Sequence, residues 1–400
     1  MASVSPTLPI GASRETLDAT LARSGEGAIS RAARYAALEE FASLAPPRAP
    51  QGRFWRYDYA KLDFAQLKPS VPSVALRGET QRGVTAVPFS NAAAQGGEAF
   101  ANAFRTVFGP LDTRFAALAF AFQNTGTFIH VAAGSVVDDP IVVRYEVAEG
   151  DAFPYTLVSL GEGARATVVE EFTGPSQGVI CGITEIVLDA RASLHYAGVQ
   201  QSSSQSHVFF TRRTRCGAGS SLHVALAELG SALTYTTLHA ALAQPDANVE
   251  ITSLFFNTGD QHIDLTSGVD HLIGPTHSQT VVKSVATGRG QGRYLGNIAI
   301  RPGAHGAEAS LRDDALLLSK EAHIDSIPAL EIASNDVKAF HGATVGSIDE
   351  EELFYVTSRG IARGEAERMI ALGFFEPALE RFPGEALRAR IRAALESKLE

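Results

Sequence analysis

The chain has 400 residues, 45% of them hydrophobic, and a formal net charge of −10 at pH 7. That length exceeds the usual single compact domain, so one elongated domain, or a domain with appendages, is expected around a large core. An acidic chain in which no basic cluster is interleaved with aromatics argues against nucleic acid or an anionic membrane as the main partner.

The first residues, "MASVSPTLPIGASRETLD", lack the charged-then-apolar pattern of a signal peptide, so a cytoplasmic protein is expected. Ser13 to Leu44 has alanine-rich helical spacing, with Ser13 as a cap candidate and a break at Gly25 to Gly27. "APPRAPQGR" then reads as a linker, because its prolines cannot continue a helix. The aromatic-rich "FWRYDYAKLDF" that follows is expected to dock on another element. These segments make an N-terminal helical region over residues 1–70.

Residues 71–346 are assigned to a β core. Valine, threonine and serine alternate with period two, and glycine and aspartate punctuate the runs. Leu222, Val224 and Leu226 fall on one face and His223, Ala225 and Ala227 on the other, predicting one core face and one wet face. Within this region the longest unbroken apolar run is "FAALAFAF", Phe115 to Phe122, far short of a bilayer span. Cys181 and Cys216 form no CxxC pair and read as small buried apolar residues. Stacking the segments "GARATVV", "DARASLHY", "GAGSSLHV", "DANVEI", "PTHSQTVV", "GAHGAEASL" and "EAHIDSI" aligns Ala164, Ala190, Ala218, Ala247, Thr276, Ala304 and Ala322. The steps are 26, 28, 29, 29, 28 and 18 residues. A near-constant step of this size predicts a right-handed parallel β-helix, a solenoid with two or three short strands per coil. The competing reading is an antiparallel sandwich.

Residues 347–400 return to helical texture. Asp349 is the N-cap of "DEEELFYVTSRG", with three glutamates in the first turn and Gly360 closing it, and two or three helices follow. The architecture expected is therefore a β-helix flanked by N-terminal and C-terminal helices.

Motifs for chemistry are sparse. "GPSQG", Gly174 to Gly178, is a literal GxSxG, but strand-like sequence on both sides makes it a turn, not a nucleophile elbow. "GRGQGRYLG" has neither dinucleotide nor P-loop spacing and reads as a solenoid corner. His271 and His277 lack a third ligand at suitable spacing and read as surface or corner residues, with His195, His223 and His323 on outer strand faces. A carbohydrate-active β-helix enzyme would need paired carboxylates on an outer groove, and Asp313 and Asp314, adjacent on a strand, point oppositely. His341, in "NDVKAFHGATVG", falls where strands hand over to helices. From spacing alone it closes the last coil by bonding a backbone carbonyl.

The stretch from Leu316 to Phe374 closely resembles the SufB/SufD family of iron-sulfur cluster assembly proteins. The resemblance rests on "PALEI" (Pro328 to Ile332), "DVK" with "HGATVG" (Asp336 to Gly346) and "LFYVTSRGI" (Leu353 to Ile361). A looser likeness runs back to "WRYD" at Trp55 to Asp58, and the "HGAT" form looks most like the SufD branch. It implies a non-enzymatic cytoplasmic subunit that pairs with a SufB-like chain, or with itself as an undifferentiated homodimer, and docks a SufC-like ATPase through its C-terminal helices. For that docking Leu353, Phe354, Met369 and Ile370 are the apolar anchors, with Arg359 and Glu365 at the rim. Related chains often carry a cysteine two residues before His341, where this one has Ala339. A cluster takes about four ligands, mostly thiolates, which two scattered cysteines cannot provide. No stably bound cofactor is expected. His341 is the candidate to lend one ligand to iron or a nascent cluster held with a partner, with Asp336 as a carboxylate that would fix its tautomer.

Overall fold

The computed structural model describes residues 12–47, 57–64, 66–108, 111 and 113–399. Ser13 caps α1 (Arg14–Ser24) by accepting the Thr16 amide, and Ser30 caps α2 (Arg31–Ser43) through Ala33. Between them Gly25 and Gly27 take positive φ, which ends the first helix where the sequence breaks. Three helices then lie inside the region read as strands: α3 (Ala92–Gln95), α4 (Gly97–Ala103) and α5 (Arg114–Phe122). Phe115 to Phe122 is thus a helix, and every residue of it is buried, because α5 is packed between α2 and a sheet.

From Thr125 onward each coil lays down two strands, one in each of two nine-stranded sheets. Neighbours are parallel throughout, except that Ser73–Arg77 and Val84–Pro88 pair antiparallel to the first coil. The registers of the first sheet stack Arg165, Ser193, Ser221, Asn248, His277, Glu308 and Lys338 in one file. Relative to that file Ala164, Ala247 and Thr276 were correctly equivalent. Ala190, Ala218 and Ala304 fall two or three residues early, in the corners, and Ala322 leads into the other sheet, which accounts for the short final step. The corners repeat because one position in each turns through left-handed φ, at Gly163, Arg191, Gly219 and Asp246, and each donates its amide to the next coil.

The expectation of a wet outer face holds only in patches. Ala225 and Ala227 are buried with Val199, Leu254 and Phe256 under α7 (Arg363–Leu379) and α8 (Glu385–Lys398), which supply Phe375, Leu379, Ile391 and Leu395. Small outward residues leave room for a helix to lie on the sheet. The second sheet is covered by the N-terminal helices and the aromatic segment: Tyr59 donates to Asp264 at 2.6 Å, and Phe64 meets Phe209 edge-on. Trp55, with the rest of residues 48–56, lies outside the described residues. Between the sheets the core is mainly aliphatic but crossed by bonded polar groups. Glu170 accepts from Thr156, Thr184 and Tyr196, and Arg212 meets Glu228 at 3.3 Å. An inward charge is tolerable only with such partners, and each bond ties neighbouring coils into register.

Candidate functional site

The stack ends on two strands, His323–Ile332 in one sheet and Val337–Ser347 in the other. Each has a neighbour on one side only among the described strands. Their registers decide which side chains face inward. Leu311 is an inner core residue, 1% exposed, and pairs with His341, so His341 continues the inner file into the last rung. Ala339 and Val345 share that file. With no rung above, these inward positions open to solvent. Ile332 is 49% exposed, Val345 44%, and Phe340, on the outer side, 61%. The result is an apolar end plate with an imidazole set in it.

His341 does not close the coil as its spacing suggested. Its ring is exposed and takes no hydrogen bond or ion pair among the described residues. Asp336 does not bond it either: its carbonyl accepts from Gly306, and its charge acts on Lys338. Among the described residues no three histidine, cysteine, aspartate or glutamate side chains converge as a formed metal site. His341 is a single unencumbered nitrogen donor on an open end.

Several of the other histidines have structural partners. His271, read as a surface or corner residue, stands at the corner that follows its strand and is fully buried there. Nδ1 pairs with Thr276 Oγ1 and Nε2 with Ser278 Oγ, each at 2.8 Å, and burial lowers its pKa to about 4. His195 meets the Arg381 carbonyl at 2.9 Å, His223 lies 3.4 Å from Glu250, and His323 pairs with Asp325 at 2.8 Å. Cys181 and Cys216 are buried free thiols, and desolvation pushes Cys216 up to about 12, out of the thiolate range. Ser176 of the GxSxG run is buried and donates to the Gly150 carbonyl at 2.7 Å, so it is a turn residue.

The second exposed feature is α6 (Glu350–Thr357), capped by Asp349 on the Glu351 amide. Of the named anchors, Leu353 is buried, Phe354 is 72% exposed, Met369 on α7 is 49% exposed, and Ile370 is half-buried. Glu365 and Arg359 are exposed, and the Arg359 guanidinium lies 4.2 Å over the Tyr355 ring. Tyr355 is an exposed aromatic that the sequence reading passed over. Its signal was its place beside Phe354 in a helix whose inward stripe is already met by Leu353.

The fold and its exposed end define a class of protein: a two-sheet parallel solenoid with an uncapped end and a solvent-facing helix beside it. The comparisons give that class a family. Residues 143–374 match the SufBD core domain of the SUF system for iron-sulfur cluster assembly, more than half of the chain, and the protein belongs to that family. It is 32% identical over 264 residues to an iron-sulfur cluster assembly SufBD family protein of Mycobacterium leprae; the match covers 65% of this chain and 30% of that one. It is 29% identical to a SufBD family protein of Staphylococcus epidermidis, covering 76% and 67%. It is 30% identical to the iron-sulfur cluster assembly protein SufB of Bacillus subtilis, covering 70% and 61%. No helix among the described residues is long and apolar enough to cross a membrane.

Proposed function

We propose that this chain is a SufD-like, non-enzymatic subunit of a cytoplasmic SufBCD-type assembly. Its open solenoid end pairs with a SufB-like chain, and α6 with the start of α7 docks a SufC-like ATPase. The observation that carries the reading is the end plate: two edge strands with free backbone groups, exposed apolar residues, and His341 on the inner file. An edge of that kind is usually covered, and a parallel rung from another chain is its natural cover. His341 would then lend one nitrogen to iron or a nascent cluster, carried as cargo, beside a thiolate from the partner. A neutral imidazole binds iron more weakly than a thiolate does, which suits a site that releases its product. Phe354, Tyr355 and Met369 form the exposed apolar patch for the ATPase, with Arg359 and Glu365 at its rim. The test is His341→Ala in the assembled complex. Cluster assembly should fall while partner and ATPase binding persist. Assembly at the wild-type rate, or a complex that falls apart, assigns His341 a structural role instead.

A further inference from the structure

The last turn of α8 reaches three successive corners in the middle of the solenoid, at residues 202–206, 229–232 and 258–261. Between them is a pocket of about 430 Å³ whose lining includes Ser202, Gly230, Thr258, Asp260, Gln261 and Lys398. Lys398 Nζ donates to Gln261 Oε1 at 2.7 Å and stands 5.7 Å from the centre of the Phe256 ring. Gln261 is fully used: Oε1 also accepts from the Thr258 amide and hydroxyl, each at 3.0 Å, and Nε2 donates to the Ser231 carbonyl at 2.6 Å. An ammonium has three donors, and one is spent here. The one carboxylate among the described lining residues, Asp260, is taken by Arg289, which grips its two oxygens at 2.6 Å each. Desolvation, with no neighbouring charge to offset it, lowers the Lys398 pKa to about 8. On the solenoid side Ser202 is 6% exposed, and its Oγ has no hydrogen-bond partner among the described residues.

We infer that this pocket binds a small oxyanion, a phosphate or carboxylate group, which accepts from the Lys398 ammonium and from the Ser202 hydroxyl. A desolvated cation without a counter-charge and a buried hydroxyl without a partner are both costly, and one oxyanion satisfies the two together. Water would bond the hydroxyl and leave the charge uncompensated, and a metal cation would be repelled by Lys398. The volume exceeds that of a single phosphate ion, which leaves room for a short organic body behind the anionic group. A bound anion would join the end of α8 to the corner at Ser202, as Gln261 already joins it to the two corners that follow. None of these residues belongs to the end plate or to the α6 patch, so the site stands independently of the function proposed above.

The experiment is a calorimetric titration of the full chain with inorganic phosphate and, separately, with succinate, at constant ionic strength in chloride. Alongside it, peptide mass spectrometry follows the acetylation of Lys398 by acetic anhydride, with the exposed Lys320 as internal reference. At least one of the two anions should bind at one site per chain; phosphate alone supports the phosphate class, succinate alone the carboxylate class. At about ten times its dissociation constant that anion should slow the labelling of Lys398 about tenfold and leave Lys320 unaffected. Ser202→Ala should weaken binding about tenfold, the worth of a hydrogen bond to a charged group, and Lys398→Met should abolish it. Labelling of the unaltered chain keeps the test valid should either variant fold poorly. The inference is overturned if neither anion binds, if labelling of Lys398 is indifferent to the bound anion, or if either folded variant binds as tightly as wild type.

Discussion

Two buried groups give the solenoid opposed responses to acid, and removing either should expose the other. His271 is fully buried between two hydroxyls, with its pKa lowered from 6.5 to about 4. The folded protein therefore refuses a proton that the unfolded chain accepts, and stability contributed by the neutral ring is lost as pH falls from 6.5 toward 4. Asp313 behaves in reverse. Its pKa is raised from 3.8 to about 7, so the folded protein keeps a proton that the unfolded chain gives up, and stability is lost as pH rises across that window. At about 1.4 kcal/mol per pH unit, the two effects are each on the order of 3–5 kcal/mol and largely cancel in the wild type. His271→Gln, whose amide can bond both hydroxyls, should leave a profile that declines from about pH 4 to pH 7 relative to wild type. Asp313→Asn should leave one that rises by about 3 kcal/mol between pH 4 and 6.5. Urea denaturation followed by circular dichroism at several pH values measures both, and the difference between variants cancels every carboxylate they share. Parallel profiles for the two variants would refute the reasoning.

Arg34 is buried and spends its guanidinium on the carbonyls of Glu26, Ile29, Ala121 and Gln123 and on the Gln123 side chain, with desolvation lowering its pKa to about 10. Arg34→Met leaves those acceptors unpaired and should cost about 3–5 kcal/mol. The loss should show as faster amide exchange in α1, α2 and α5, with the distant strands protected as before; uniform loss of protection would show that Arg34 is not a local clamp. Phe354→Asp with Met369→Asp should abolish binding of the SufC-like ATPase while the β-sheet circular dichroism stays intact, since both side chains face solvent. Unchanged binding would move the docking site elsewhere.

The solenoid was legible because its repeat is physical: each coil needs a corner with one residue at left-handed φ, and glycine or aspartate recurs there. What the repeat could not give was the phase. Alanine is common both in corners and at strand starts, so alignment on alanine slipped by two or three residues in three coils. Phe115 to Phe122 escaped as a helix because an unbroken apolar run has no period to read. Ala225 and Ala227 were placed on the correct face, but nothing in a strand says that a helix from the far end of the chain will cover that face. At the candidate site, the sequence singled out His341 and Phe354 but not Tyr355. It gave Leu353 and Phe354 as equals, although neighbours on a helix are turned about 100° apart and here meet opposite environments, 2% and 72% exposed. Asp313 and Asp314 differ only through register, one in the core and one among cations.

The place of His341 follows from how a solenoid stops. Every coil uses the next as its cover, so an inner-file residue must suit burial, and the positions below His341 on the first sheet, Leu311, Thr280, Ile251 and Val224, are all buried. A histidine with no bonded partner would be costly one coil lower, where water is absent. On the last rung it costs nothing until another surface arrives, and that surface must then offer it a hydrogen bond or an electron-pair acceptor. The end plate is therefore apolar enough to be covered and polar enough, at His341, to disfavour a cover that is merely apolar.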